Sequence, residues 1–361
     1  MNKQEKTNLA KLKLMTKLSE LNINECLLLV REEQLFITTL DYECVLFLSF
    51  VSVADMTLKI DTSNFDFVIN NIKAKLPIDL SLNDNCDSIS LYGYKLKCEE
   101  IPESHALDEM FKDYLISYQL DTDNILKQVK DILFSCSDDN ELNFNIYGVH
   151  LDFIENDKVK IVTTNTHRMT VRTHDITSRK NFKGIKLTIV RDKLDLLKTY
   201  KRDSTFHYND ETGSAFLSLY NDKSFIKLDL MDWEYLPYPP YQKVLISEPE
   251  NIVVSASELN KMLECLPKFS KKKEMQTPVL LKTYGGLGLY YVIVGDEENK
   301  IKTDVCVFDS LEILLNLFYL KELLTFFKGN DVFWAIEKNG ILQITSQQDV
   351  HVLMTMRKGD K

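Results

Sequence analysis

The 361-residue sequence is short of the patterns that mark most enzymes and most metal or membrane proteins. Its six histidines, at 105, 150, 167, 174, 207 and 351, include no i,i+4 pair, and its seven cysteines, at 26, 44, 86, 98, 136, 265 and 306, include no Cys-x-x-Cys. Metal-ligand spacing is therefore missing. An odd, scattered set of cysteines points to reduced thiols in a cytosolic compartment rather than a disulfide framework. No Gly-x-Ser-x-Gly or Cys/His nucleophile pattern occurs, and Met169 follows His167-Arg168 where a kinase loop needs Asp. Gly285-Gly286-Leu287-Gly288 lacks the Gly-Lys-Ser/Thr of a phosphate loop and reads as a hairpin turn. With 11 Gly and 8 Pro, collagen-like and low-complexity chains are excluded. The longest apolar run, Cys44 to Met56, is too short to cross a bilayer and contains Ser49, Ser52 and Asp55. Residues 1–6 lack the apolar core of a signal peptide. The expectation is a cytoplasmic protein without cofactor, metal, membrane partner or catalytic residue.

What is present is ordinary globular composition, 44% hydrophobic and 27% charged. The net charge of −10 argues against a protein that grips phosphates over its whole surface. It leaves room for an acidic outside with a modestly basic inner face.

The chain also repeats itself. A strand, helix, strand, strand unit reads 57–61, 65–74, 78–84 and 88–99; again 184–191, 192–201, 204–210 and 214–221; and again 311–317, 318–328, 331–338 and 341–347. The three helices start about 126 residues apart. Each unit follows an earlier half, an amphipathic helix and long strands. Ile125, Leu126, Val129, Ile132 and Leu133 form one helical stripe behind an Asp121 N-cap. Leu259, Met262, Leu263 and Leu266 form another behind a Ser255/Glu258 capping box. Leu9, Leu12, Met15, Leu18 and Leu21 give a looser first helix whose polar face is interrupted by Leu14. Strands at 25–50, 144–172 and 278–307 alternate as antiparallel pairs do. The polar stretch 103–113 and the proline tract 236–241 read as separators. The fold class is α+β: three repeats at 1–113, 114–247 and 248–361, each with two helices packed on antiparallel sheets. Trp233 and Trp334 read as packing residues.

Four segments, in order, carry a resemblance. Tyr147-Gly148-Val149-His150-Leu151-Asp152 runs on to Val162-Thr-Thr-Asn-Thr-His-Arg-Met169; then come 238–245, the pair Asn316 and Tyr319, and the ending Val352-Leu-Met-Thr-Met-Arg357. With them the chain resembles the bacterial sliding clamp, the beta subunit of the replicative DNA polymerase. The resemblance implies a clamp fold in which two three-domain chains join head to tail into a ring around double-stranded DNA. It implies a non-enzymatic processivity factor, with replicative polymerase and clamp loader as further partners.

Residue by residue, the resemblance implies a partner-peptide pocket of Ile146, Thr164, Thr166, His167, Arg168, Met169, Pro239, Lys243, Val244, Asn316, Tyr319, Val352, Met354, Met356 and Arg357. Leu96, Cys98 and Ile101 would meet Leu266 and Phe269 of a second copy. Hole-facing cations would be Lys13, Lys17, Lys127, Lys130, Lys198, Lys201, Arg202, Lys261, Lys268, Lys271, Lys272 and Lys273. They would attract phosphates weakly and without reading sequence. Against the family pattern, Thr166 replaces Gly, Asn165 replaces Asp, Thr355 replaces Pro and Lys243 replaces Arg, which marks a divergent clamp. Two other readings stay open: a clamp-fold interaction protein that does not close into a ring, and a metal-dependent nuclease.

Overall fold

A computed structural model describes residues 7, 10–15, 25–41, 44–50, 55–62, 80–82, 88–91, 94–102, 106–121, 125–138, 146–155, 157–176, 183–197, 204–219, 223–231, 241–246, 252–266, 268–284, 289–294, 297–302, 312–337 and 341–356. The expected helix at 65–74, most of the proline tract, the 285–288 turn and Trp233 lie outside them. The chain separates into two compact units, Met1–Lys127 with Ile176–Phe182 and Val190–Leu230, and Gln128–Asp175 with Lys183–Ile189 and Met231–Lys361. Among the described residues no helix is long and apolar enough to cross a membrane.

The first unit is built on an 11-stranded antiparallel sheet. Its strands lie in the order Leu80–Leu82, Ser88–Leu91, Tyr94–Glu100, Met56–Asp61, Glu25–Arg31, Gln34–Thr38, Cys44–Phe50, Ser224–Leu228, Ser214–Leu219, Ser204–Asn209 and Tyr118–Asp121. The turn from Arg31 to Gln34 holds both Glu32 and Glu33 at positive φ, the backbone a two-residue hairpin demands. Residues 10–15 are helical, and Leu14, which breaks the polar face on paper, is buried beside Leu12 and Met15.

Most of the polar stretch 103–113, expected as a separator, belongs to a helix, Ala106–Ile116. Met110, Phe111 and Tyr114 turn onto the apolar cluster of Leu27, Leu29, Phe36, Val45, Phe216 and Phe225. The Phe111 ring meets Phe36 and Phe225 edge-on, each at 5.4 Å, while Tyr114 stacks flat on Phe225 at 4.3 Å. This places the helix over the seam where Cys44–Phe50 pairs with Ser224–Leu228, through Val45 with Phe225 and Cys44 with Ile226. Ser224 Oγ adds a bond by accepting the Phe47 amide at 3.0 Å. The amphipathic spacing of Met110, Phe111 and Tyr114 is hidden on paper by the surrounding Glu, Asp and Lys.

The second unit holds an eight-stranded sheet, in the order Lys186–Val190, Gly148–Glu155, Lys158–Thr164, Arg168–Asp175, Asp349–Met354, Ile341–Thr345, Val332–Glu337 and Ile252–Val254. A four-stranded sheet runs Glu297–Lys302, Leu289–Val294, Pro278–Tyr284, Glu312–Asn316. Helix Ala256–Cys265 starts on the expected capping box: Ser255 Oγ accepts the Glu258 amide at 3.3 Å, and Glu258 Oε2 accepts the Ser255 amide at 2.9 Å. Leu259, Met262 and Leu266 pack with Leu317, Leu320, Leu324 and the buried Trp334. Helix Ile125–Ile132, whose first three residues belong to the first unit, buries Ile125, Leu126, Val129 and Ile132, the stripe read from its spacing, and leaves Lys127 and Asp131 exposed.

Candidate partner-peptide site

The hairpin between Lys158–Thr164 and Arg168–Asp175 turns through Asn165, Thr166 and His167. Asn165 Oδ1 accepts the amides of His167 at 3.2 Å and Arg168 at 3.1 Å, a side-chain turn of the kind Asn favours. Thr164 Oγ1 donates to the Arg168 carbonyl at 2.7 Å and accepts the Thr166 amide at 3.2 Å. Thr166 stands at φ 71°, in the left-handed region that a β-branched side chain disfavours. The turn thus keeps the backbone shape of a glycine while carrying a threonine.

Gly148, at the head of the same motif, is required for space. A Cβ there would meet the Ile189 carbonyl oxygen at 2.5 Å, so only glycine lets the two strands approach.

Arg168 is largely buried. One Nη donates to Glu322 and the other to the Phe134 carbonyl. Its guanidinium carbon lies 4.6 Å from the Tyr319 ring centre, 5.0 Å from Phe134 and 5.9 Å from Phe318. The His167 ring stacks on Tyr319 at 5.7 Å. Burial pushes the Tyr319 phenol above its ordinary pKa, with Arg168 and the Asn165 side chain pulling the other way. Asn316 caps helix Leu317–Phe326: its Oδ1 accepts the amides of Phe318 at 3.0 Å and Tyr319 at 3.4 Å, and its Nδ2 donates to the Met275 carbonyl at 2.7 Å. Its side chain therefore positions Tyr319 rather than standing free.

Of the apolar residues expected in the pocket, the structure brings four together, three of them buried. Ile146, Met169 and Val352 form one cluster with Val162 and Val171, and Val244 packs against it. Met354 is exposed at its edge, where its amide donates to the His167 carbonyl at 2.9 Å. Met356 is half-buried and Lys243 exposed, while Pro239 and Arg357 lie outside the described residues.

Sequence reasoning overlooked what lies further along the same strand. Arg172, four residues after Arg168, binds Asp349 with both ends of its fork, Nε to Oδ1 at 2.6 Å and Nη2 to Oδ2 at 3.0 Å. Its Nη1 reaches Asp131 at 3.1 Å. Burial opposes its charge, but Asp349 and then Asp131 outweigh it and hold the guanidinium above its ordinary pKa. These residues line a cavity of about 400 Å³ with Phe326, Phe327 and Asn330. Between the two arginines lies His351, buried against Phe134, Phe326 and Phe327. Its Nδ1 meets Thr170 Oγ1 at 2.7 Å, which meets Ser135 Oγ at 2.5 Å, which meets Thr163 Oγ1 at 2.7 Å; that hydroxyl donates to the Ile132 carbonyl at 3.0 Å. With the proton on Nδ1, every hydroxyl donates in turn and Nε2 faces the aromatic rings as a bare acceptor. Burial, then Arg172 and Arg168, push this imidazole well below its ordinary pKa.

Of the expected DNA-facing cations, Lys13, Lys127, Lys261, Lys268, Lys271, Lys272 and Lys273 are exposed. Lys130 is half-buried, and burial lowers its ammonium to about 8, with Asp131 pulling upward. Lys17, Lys198, Lys201 and Arg202 lie outside the described residues. Of the expected subunit contacts, Leu96 and Leu266 are buried, 4% and 3% exposed, and Ile101 packs on the first unit's own core. Cys98 is half-buried and Phe269 is 37% exposed.

No protein-family model matches the sequence, and no curated protein matches it. The fold, in contrast, matches solved structures end to end. The DNA polymerase III subunit beta from Borrelia burgdorferi superposes with a TM-score of 0.76 at 18% identity, covering 98% of each chain. That from Pseudomonas aeruginosa gives 0.77 at 15% identity, again over 98% of each chain. The Helicobacter pylori beta clamp bound to a DNA ligase peptide gives 0.71 at 16% identity over the same share. Across its whole length, at sequence identities below one in five, this chain has the fold of the DNA polymerase III beta sliding clamps.

Proposed function

We propose that the protein is a divergent sliding clamp: a non-catalytic, head-to-tail homodimeric ring of three-domain chains that encircles duplex DNA and tethers a replicative polymerase, placed there by a clamp loader. The observation that carries this reading is the end-to-end clamp fold combined with the gathered residues of the partner-peptide pocket. Tethering acts by effective concentration, so the DNA contacts need only be weak. Exposed lysines interleaved with acids, as Lys127 with Asp131 and Lys261 with Glu264, suit weak contact. At the peptide site, Ile146, Met169 and Val352 are buried and make the apolar bed beneath it, while the exposed Met354, with its adaptable thioether, supplies the movable edge.

The test is light scattering of purified protein across concentrations, followed by retention on nicked circular DNA and its release on linearisation. A dimer retained only on circles supports the ring. The burial of Leu96 and Leu266 in the chain's own cores favours a second reading, a clamp-fold peptide-binding protein without a self-sufficient ring. A strict monomer that still binds peptide would select it.

A further inference from the structure

Helix Lys271–Gln276 begins with Lys271, Lys272 and Lys273, and Lys268 precedes it; all four are exposed. Among the described residues none of the four is in an ion pair. The segment's one acid, Glu274, is already committed, its Oε1 accepting from Lys321 Nζ and from the Phe269 amide at 3.1 Å. Lys273 lies 4.1 Å over the Phe269 ring. Phe269 and Met275 are exposed, at 37% and 39%. The sequence reading divided this segment between DNA and a second copy, yet Lys273 and Phe269 touch and so form one surface.

That surface is continuous with the peptide site. The Phe318 ring has Lys271 at 5.3 Å and Arg168 at 5.9 Å, and Met275 gives its carbonyl to Asn316, the cap that holds Tyr319 in place. Duplex phosphates have no use for an exposed Phe and Met among lysines. A peptide mixing carboxylates with apolar side chains matches both.

Resting on the peptide-site reading above, we infer that the surface of Lys268, Phe269, Lys271, Lys272, Lys273 and Met275 is a basic annex that selects partners whose docking segment is flanked by acidic residues. Each lysine–carboxylate pair at such a surface is weak, so the annex works by adding several and by speeding encounter.

The test uses the full chain and a fluorescein-labelled clamp-binding peptide of family-consensus sequence, plain or extended at either end by four glutamates or four glutamines. The expected result is a roughly tenfold tighter complex for one glutamate-extended peptide at low salt, lost at high salt. In both Lys271→Gln/Lys272→Gln/Lys273→Gln and the triple Glu variant, the ratio of glutamate-extended to plain affinity should fall to near one. Plain peptide binding with no gain from glutamates overturns the annex alone. Failure of every peptide removes the peptide-site reading and the annex with it. A triple variant that keeps the glutamate advantage but loses retention on circular DNA assigns the lysines to DNA and also overturns the proposal.

Discussion

The guanidinium carbon of Arg168 lies 4.6 Å from the ring centre of Tyr319, with Glu322 and the Phe134 carbonyl taking its two terminal nitrogens. An arginine held this way supports the candidate site from beneath instead of reaching out to a ligand. Arg168→Ala should cost about 2 kcal/mol, because it leaves Glu322 unpaired and the rings unsupported. Arg168→Lys should cost nearly as much, since an ammonium cannot lie flat on Tyr319. Urea unfolding measures both; a lysine variant as stable as wild type would refute the stacking account.

Thr166 at φ 71° strains the hairpin. Thr166→Gly should raise stability by about 0.5–1 kcal/mol, the relief of left-handed strain less the entropy of a freer unfolded chain. A lowered thermal midpoint would show that the threonine hydroxyl matters more than the backbone.

Gly148→Ala should do the reverse. The added methyl would press on the Ile189 carbonyl at 2.5 Å, forcing two strands apart at a cost of about 2 kcal/mol. Calorimetry showing an unchanged midpoint would contradict this.

Three histidines, His150 and His351 buried and His207 half-buried, set an acid limit on stability. Burial lowers His150 and His207 to about 4, and His351 lies well below its ordinary value. In each the unfolded chain binds the proton first, so stability is intact above about pH 6.5 and falls as pH drops below it. Each contributes up to about 1.4 kcal/mol per pH unit down to its folded value. Denaturation midpoints measured from pH 7.5 to 5 should therefore decline. His207→Gln, facing Tyr114 in the first unit, should flatten that unit's decline, and a parallel curve would count against the assignment.

Phe111→Ala should destabilise the first unit by about 2–3 kcal/mol, because the ring is wedged against Phe36 and Phe225. Surface substitution of Asp108 on the same helix should change little, and comparing the two separates packing from helix propensity.

How much of this was legible beforehand depended on whether the deciding force was local. The stripe at Ile125, Leu126, Val129 and Ile132 and the Ser255/Glu258 box are set by residues within one or two turns, and both read correctly. The clustered residues Ile146, Met169 and Val352, far apart in the chain, could be grouped only through the family resemblance. Helix Ala106–Ile116 was missed because its charged residues, Asp108, Glu109, Lys112 and Asp113, read as a polar linker and its stabilising rings, Phe36, Phe216 and Phe225, come from strands far away in sequence. Arg172 escaped notice for the same reason: its partner Asp349 lies 177 residues on, and nothing near Arg172 predicts the pair.

Pulled along its strands, a sheet resists through many hydrogen bonds at once; peeled across them, it gives way one bond at a time. The seam between Cys44–Phe50 and Ser224–Leu228 is placed to be such a weak line. With Phe111 and Tyr114 bolted over it, the rings of Phe36 and Phe225 cannot part unless the helix lifts as well. Under load the first unit should thus behave as a riveted plate, holding and then yielding in a single rupture, and force spectroscopy on Phe111→Ala should turn that rupture into a gradual tear.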